Sequence, residues 1–387
     1  MTERVDDSFR LLAAQYVRKQ LRQLTGQVDG IRKAEDIEYV HRARVASRRL
    51  RSALRMFRDC FPAKKLKVWR QEIRRVTEDL GEARDKDVQI AFVCGVLAGL
   101  QETSLVLGVS HLLVHLEDQR DALQPKVVKA LDRLLDSRVL GQMLTKAKRM
   151  SSGPEAQGVS VASPLVLQLA GGKILAQLED LRALEHSLAD PHDFEQHHAL
   201  RISLKRLRYT LEICRPAYSG LLDGFVETVK QVQTLLGEIH DCDVWVEFLQ
   251  AYLEEERKRI AKLYGHPGPL EKLRVGLDDL RQNRQAQREE LFRKLVADWR
   301  QLTDRGFWDA LVELVRSRPE PAPASKAAGD SAEQPQPQEA ARPDQEASNP
   351  VPDRSDGKPQ PDGESSPGPA QEPAAPEVPA TEQQEVG

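Results

Sequence analysis

His41-Arg-Ala-Arg-Val-Ala-Ser-Arg-Arg-Leu-Arg51 and His198-Ala-Leu-Arg-Ile-Ser-Leu-Lys-Arg-Leu-Arg208 are two renderings of one pattern, 157 residues apart. At about 100° per residue, His41, Arg44, Arg48, Arg51, Arg55 and Arg58 share one arc of a helix, and Ala43, Ala46, Leu50, Leu54 and Phe57 share the opposite one. The second copy divides likewise, with His198, Arg201, Lys205, Arg208 and Arg215 set against Leu200, Leu204, Leu207 and Leu211. Apolar residues at three- and four-residue spacing mark an amphipathic helix packed on a core. A second pair, Leu80-Gly-Glu-Ala-Arg-Asp-Lys-Asp-Val88 and Leu236-Gly-Glu-Ile-His-Asp-Cys-Asp-Val244, repeats at an offset of 156. Two motifs at nearly one offset are hard to obtain by chance, so the sequence predicts two copies of one helical unit.

The surroundings agree. Leu, Ala, Arg, Glu, Lys and Gln dominate the chain before residue 318, no convincing alternating strand is found, and Pro62, Pro125, Pro154, Pro164, Pro191, Pro216 and Pro267 stand where helices are expected to stop or start. Helices are expected at about 7–28, 35–60, 63–80, 84–100 and 103–136, then at 164–189, 192–215, 220–236, 240–263, 269–300 and 304–316. The expected fold class is all-α: a first bundle over 1–150, a linker at 151–158, and a second bundle over 159–317, related by internal duplication as a pseudo-twofold pair. From 318 to 387 the chain carries 15 of its 23 prolines, and only Val351, Val378 and Val386 as large apolar residues. Such a segment does not bury enough surface to offset chain entropy, and a disordered acidic tail is expected there.

The formal net charge of −3 averages two unlike regions: residues 1–317 carry +6 and the tail −9. Aromatics make up only 5% of the chain, which argues against a base-stacking platform. Cys60, Cys94, Cys214 and Cys242 lie far apart, with no metal-type spacing, and read as buried thiols of a reducing compartment. The first residues lack a signal-peptide pattern, and the longest uncharged runs, Val88–Leu100 and Thr103–Leu116, fall short of a membrane span. A cytoplasmic protein without membrane insertion is expected.

The basic stripe carries the chemistry. An ordinary solvated helix face intersperses both signs to gain i,i+4 pairs, yet no acid lies between His41 and Arg58 on the first stripe. Lys64, Lys65, Lys67, Arg70, Arg74 and Arg75 extend it, whereas Glu212 stands where Arg55 does and partly neutralises the second copy. Like charges at this spacing repel by a few tenths of a kcal/mol per pair, so the pattern points to a polyanionic ligand whose oxygens match the guanidinium fork. The competing reading is internal salt bridging to acids of neighbouring helices. His41 and His198 lie on the stripe, either as donors to the anion or in helix-end and packing roles. Neither has ligand-spaced Cys or carboxylate neighbours, and no metal or cofactor is expected.

These motifs resemble the CHAD family, the conserved histidine α-helical domain. His41, Arg44-Val45 and Arg48-Arg49-Leu50-Arg51 match its first pattern, as do His198, Arg201-Ile202 and Lys205-Arg206-Leu207-Arg208. Leu80–Val88 matches its Leu-Gly-x-x-Arg-Asp-x-Asp-Val pattern, with His240 in place of Arg84 in the second copy. The resemblance covers most of residues 8–316. It implies two helical bundles about a basic cleft or pore, and binding of inorganic polyphosphate at cytoplasmic polyphosphate granules. The ligand-binding set implied is His41, Arg44, Arg48, Arg49, Arg51, Arg55, His198, Arg201, Lys205, Arg206 and Arg208. Arg49 and Arg206 lie off the main stripe but belong to the family motif.

No nucleophile–base pair is legible, and a non-catalytic binder is expected. The alternatives are a phosphohydrolase or polyphosphate-modifying enzyme holding a divalent metal at Asp85/Asp87 and Asp241/Asp243, and a general nucleic-acid-binding module. The acidic pairs have a simpler reading, as first-turn residues of helices that follow the helix-ending Gly81 and Gly237, pairing with the stripe arginines. Glu254-x-Glu256-x-Lys258 matches the ExExK signature of triphosphate tunnel enzymes in letters only, because it falls in a helical run rather than a strand. His111 and His115, four apart, read as packing or surface residues.

Overall fold

Long runs of helix formers with amphipathic spacing wind the chain into helices wherever it is described. The computed structural model describes residues 7–152 and 159–317. Most of the expected linker (153–158) and the whole expected tail (318–387) lie outside the described residues. Among the described residues eleven α-helices follow one another: α1 (Asp7–Thr25), α2 (Val28–Lys33), α3 (Ile37–Met56), α4 (Ala63–Gly99), α5 (Thr103–Asp136), α6 (Val139–Ser152), α7 (Pro164–Arg182), α8 (Phe194–Cys214), α9 (Asp223–Tyr264), α10 (Leu270–Asp304) and α11 (Phe307–Ser317). No strand occurs among the described residues, and the fold is all-α.

Several boundaries differ from the sequence reading. The expected pairs 63–80/84–100 and 220–236/240–263 are single continuous helices, α4 and α9. Gly81 and Gly237 therefore end nothing, and both acidic pairs sit in mid-helix. A helical glycine costs about 1 kcal/mol relative to alanine, less than the buried flanks Leu80, Ala83, Leu236 and Ile239 contribute by packing. Pro125 likewise lies inside α5 rather than at an end. The helix expected at 7–28 ends at Thr25, and neither α2, which lies almost wholly beyond that span, nor α6 has a counterpart among the expected helices. Cys60, Cys214 and Cys242 are buried free thiols, but Cys94 is exposed. No helix among the described residues is long and apolar enough to cross a membrane.

The apolar arcs read from the sequence face inward: Ala43, Ala46, Leu50, Leu54 and Phe57 on one side, Leu200, Leu204, Leu207 and Leu211 on the other, are all buried. They belong to one continuous core that runs from Phe9 to Val315 and joins α1, α3, α4 and α6 with α7, α8, α9 and α11. A second cluster, built on Val93, Leu112, Trp245, Leu249, Tyr252 and Leu277, knits together the outer parts of α4, α5, α9 and α10. There α5 and α10 cross backbone to backbone. A methyl on Gly108 would stand 2.1 Å from the Leu273 carbonyl oxygen, and one on Gly276 2.1 Å from that of Leu105. The contact is reciprocal, each glycine meeting the residue three before the other. Contacts between the halves also join α3 to α8 and α1 to α7. With the short α2 set aside, each of the three contacts pairs helices in the same serial place on either side of the 153–158 segment.

Candidate anion-binding site

The site is built by α3 and α8, each started by an aspartate whose side chain caps the first turn. Asp36 accepts from the Glu38 amide at 2.8 Å, and Asp193 from that of Gln196 at 3.2 Å. With their apolar arcs fixed in the common core, the two helices meet and bring their cationic faces together. The Arg48 guanidinium donates to the Tyr209 hydroxyl across 161 residues of sequence, and Arg49 Nε lies 3.3 Å from Glu212 across 163. What the sequence shows as two stripes is one cluster, centred on Arg44 and Arg48 of α3 and Arg201 and Lys205 of α8.

The electrostatics of the centre record that crowding. Lys205 is held down to about 7, first by burial and then by Arg48, Arg201, Arg44 and Arg208. Arg44 is lowered by burial and by Arg48, against Asp85. Burial also lowers Arg201, which Asp241 partly offsets and Arg48 reinforces. Outward along α3, Arg51 and Arg55 are lowered by burial as well; Glu78 partly offsets the first, on which Arg74 and Arg48 press, while Arg206 and Arg70 press on the second. Among the described residues, Arg51, Arg55, Arg201, Lys205 and Arg206 have no carboxylate within ion-pair distance. Arg51, Arg55, Arg201 and Lys205 thus lose part of their hydration without an ion-pair partner to replace it, whereas Arg206 is exposed.

Other predicted residues are committed within the protein. Arg208 is buried, giving Nε to Gln233 Oε1 at 2.7 Å and a terminal nitrogen to Glu212 Oε1 at 2.6 Å. Glu212 thus bridges Arg49 and Arg208, tying α3 to α8. His41 is half-buried on α3. His198 is exposed, and its ring lies 4.8 Å from that of His240, which burial, Arg201 and His198 push down to about 4. The more buried histidine is its neighbour His197. Its Nδ1 accepts from Arg288 at 3.3 Å, so Nε2 carries the proton donated to the Ser187 carbonyl at 2.9 Å.

The acidic pairs divide their work. Asp85 is exposed and lies 3.4 Å from Arg44, whose side chain runs over Gly81, 3.4 Å from where a methyl would stand. Asp87 is buried, and Arg120 of α5 clamps it at 2.6 Å; Arg288 of α10 clamps Asp243 at 2.8 Å. The second acid of each pair is therefore answered by an arginine of the following helix. Among the described residues no group of three or more His, Cys, Asp or Glu is placed to hold a metal ion. Elsewhere, Glu254 and Glu256 lie on α9, paired with Arg257 and Arg259, and His111 meets Tyr252 at 2.6 Å. A cavity of about 600 Å³ between α9 and α10 alternates Lys230, Lys294 and Arg305 with Glu227, Glu238 and Asp298, a mixture unsuited to a polyanion.

Tyr209, Gln233, Arg120 and Arg288 were not singled out by sequence. The matching stripes held a signal for the first: at the 157-residue offset Tyr209 stands where α3 has Ser52, and Glu212 where α3 has Arg55. Both departures from the repeat are residues that reach across to the first copy.

Comparison with known proteins agrees with this architecture. The family model of the CHAD domain matches residues 15–250. Uncharacterized proteins from two strains of Mycobacterium tuberculosis are 27% identical over 233 residues, covering 56% of this chain and 41% of theirs. The chain thus spans less than half the length of these curated relatives. The crystal structure of the CHAD domain from the plant Ricinus communis is similar, with a TM-score of 0.52 at 21% identity over 76% of this chain and 94% of that one. At that identity the likeness bears on the fold alone.

Proposed function

The chain belongs to the CHAD domain family, and from that premise and the crowded cations of α3 and α8 we propose that it binds inorganic polyphosphate without catalysis, in the cytoplasm at polyphosphate granules. The observation that carries the reading is the convergence of Arg44, Arg48, Arg201 and Lys205 with too little negative charge to neutralise them. A cluster that costs free energy when empty is relieved by an anion supplying many oxygens at once. Planar guanidinium groups suit phosphoryl oxygens through paired charge-assisted hydrogen bonds. From Arg44 to Arg55 the row of cations spans about 16 Å of helix, longer than a single phosphate needs. The family resemblance narrows the polyanion to polyphosphate. The contacts of α3 with α8 and α5 with α10, which pair corresponding helices once the short α2 is set aside, support descent of the two halves from one duplicated unit.

In this reading Arg44, Arg48, Arg51, Arg55, Arg201, Lys205 and Arg206 contact the chain of phosphates, with His41 and His198 flanking. Arg49 and Arg208 hold the two helices together through Glu212. The test is binding of labelled long-chain polyphosphate to the full chain at two salt concentrations, wild type beside Arg48→Glu/Lys205→Glu, with RNA as competitor. Salt-sensitive binding, lost in the double variant and resistant to RNA, is expected. Equal displacement by RNA, or undiminished binding by the folded variant, overturns the proposal.

A further inference from the structure

Lys205 differs from every other cation at the centre of the site, because ammonium is the one group there that can shed its charge near neutrality. Guanidinium stays protonated under all ordinary conditions. The groups facing this amine are Arg44 and Arg48 from α3, Arg201 and Arg208 from its own helix, and His240 from α9. Asp85 of α4 and Asp241 of α9 lie one step away, acting on Arg44 and Arg201 rather than on Lys205. Lys205 is half-buried among four guanidinium groups, and among the described residues no carboxylate lies within ion-pair distance of it.

We infer that Lys205 is the proton-uptake group of the site: polyphosphate is taken up together with one proton, which this amine receives. The inference rests on the polyphosphate reading above and adds its regulation by pH. In the empty site a fifth positive charge is repelled by the four around it. Phosphate oxygens neutralise those four and accept hydrogen bonds from an ammonium, so the bound state favours the charged amine. The step is an acid–base equilibrium in which solvent supplies the proton and no bond other than N–H forms.

With the free amine held at about 7 and the bound one restored toward 10.5, affinity declines as pH rises through that window. The steepest slope is about tenfold per pH unit, and the loss approaches roughly 100-fold between pH 6 and 9. His240 does not imitate this effect at alkaline pH, since it is pushed down to about 4 when free and an ordinary histidine is already neutral at pH 8.

The test is isothermal titration calorimetry of the full chain with sodium polyphosphate at pH 8, in two buffers of different ionisation enthalpy. The difference in observed heats counts protons. About 0.9 proton per occupied site is expected for the wild type, close to none for Lys205→Arg, and the wild-type count for His240→Asn. Binding by the wild type with no proton uptake overturns the inference while leaving polyphosphate binding intact. The same holds if Lys205→Arg keeps the wild-type count. Absence of binding at any pH overturns both readings. A wild-type count near zero overturns the inference even where a variant fails to fold, and the Lys205→Arg count assigns the proton to this amine rather than to the flanking His41 or His198.

Discussion

Replacing Lys205 by methionine should make the protein more stable while weakening the site. Methionine keeps an unbranched stem of similar reach and removes only the amine. Burial and the surrounding guanidinium groups hold the amine down from 10.5 to about 7. At about 1.4 kcal/mol per unit, the charged form costs the fold up to about 5 kcal/mol. Water reaching this half-buried group screens the repulsion, which puts the expected gain at about 2–3 kcal/mol at pH 6. Because the folded value lies below the unfolded one, the unfolded chain binds more protons between pH 7 and 10.5. Wild-type stability at this position therefore rises with pH across that window, and the advantage of the variant shrinks to less than about 1 kcal/mol at pH 9.5. Urea unfolding at the two pH values, followed by circular dichroism, measures the double difference, with the slope m as a control for unchanged compactness. Equal midpoints at pH 6, or an advantage that persists undiminished at pH 9.5, would refute the claim that crowded cations strain this site.

Two further outcomes follow from named contacts. Gly108→Ala and Gly276→Ala each place a methyl 2.1 Å from a helix carbonyl oxygen, so α5 and α10 must separate; each should cost about 1–3 kcal/mol in urea unfolding, and unchanged midpoints would deny the close crossing. Glu212→Gln removes the acid between Arg49 and Arg208. It should tighten polyphosphate binding and steepen its salt dependence by about one phosphate contact, while costing about 3 kcal/mol because the buried Arg208 loses its counter-ion; weaker binding by the folded variant would contradict the division between ligand-facing and bridging arginines.

Periodicity made the helices legible, and with them the inward arcs of α3 and α8. Every apolar residue assigned to those arcs is buried. Boundaries were less legible where a local signal competed with packing. Gly81 and Gly237 suggested helix ends, yet Leu80 and Ala83, and Leu236 and Ile239, are core residues on both sides of them. Pro125 is overridden in the same way by Val127, Ala130 and Leu131, buried on the next turns of α5. Cys94 departs from the expectation of burial because it faces outward on α4. The crossing at Gly108 and Gly276 left no trace beyond two Leu-x-x-Gly tetrads, Leu105–Gly108 and Leu273–Gly276, because a glycine inside a helix does not say whose backbone it admits.

The candidate site shows why a repeat tells more through its mismatches than its matches. Matching positions, such as Arg48 with Lys205, are equivalent in sequence and supply the common cationic face. The apolar arcs hold α3 and α8 in the common core, but two identical cationic faces brought together there would only repel. The mismatches offset that repulsion. Tyr209 in place of Ser52 accepts from Arg48, with the Arg208 guanidinium 4.9 Å from the ring centre. Glu212 in place of Arg55 joins Arg49 to Arg208. Each substitution brings an acceptor into one copy only, which lets the second helix lie against the first without neutralising Arg44, Arg201 or Lys205. A strictly symmetric chain with Ser52 and Arg55 in both copies would lack these bridges and carry one more cation at the contact. The asymmetry therefore permits the cations to converge while leaving Arg201 and Lys205 without a carboxylate at ion-pair distance among the described residues, which is the condition the proposed anion site requires.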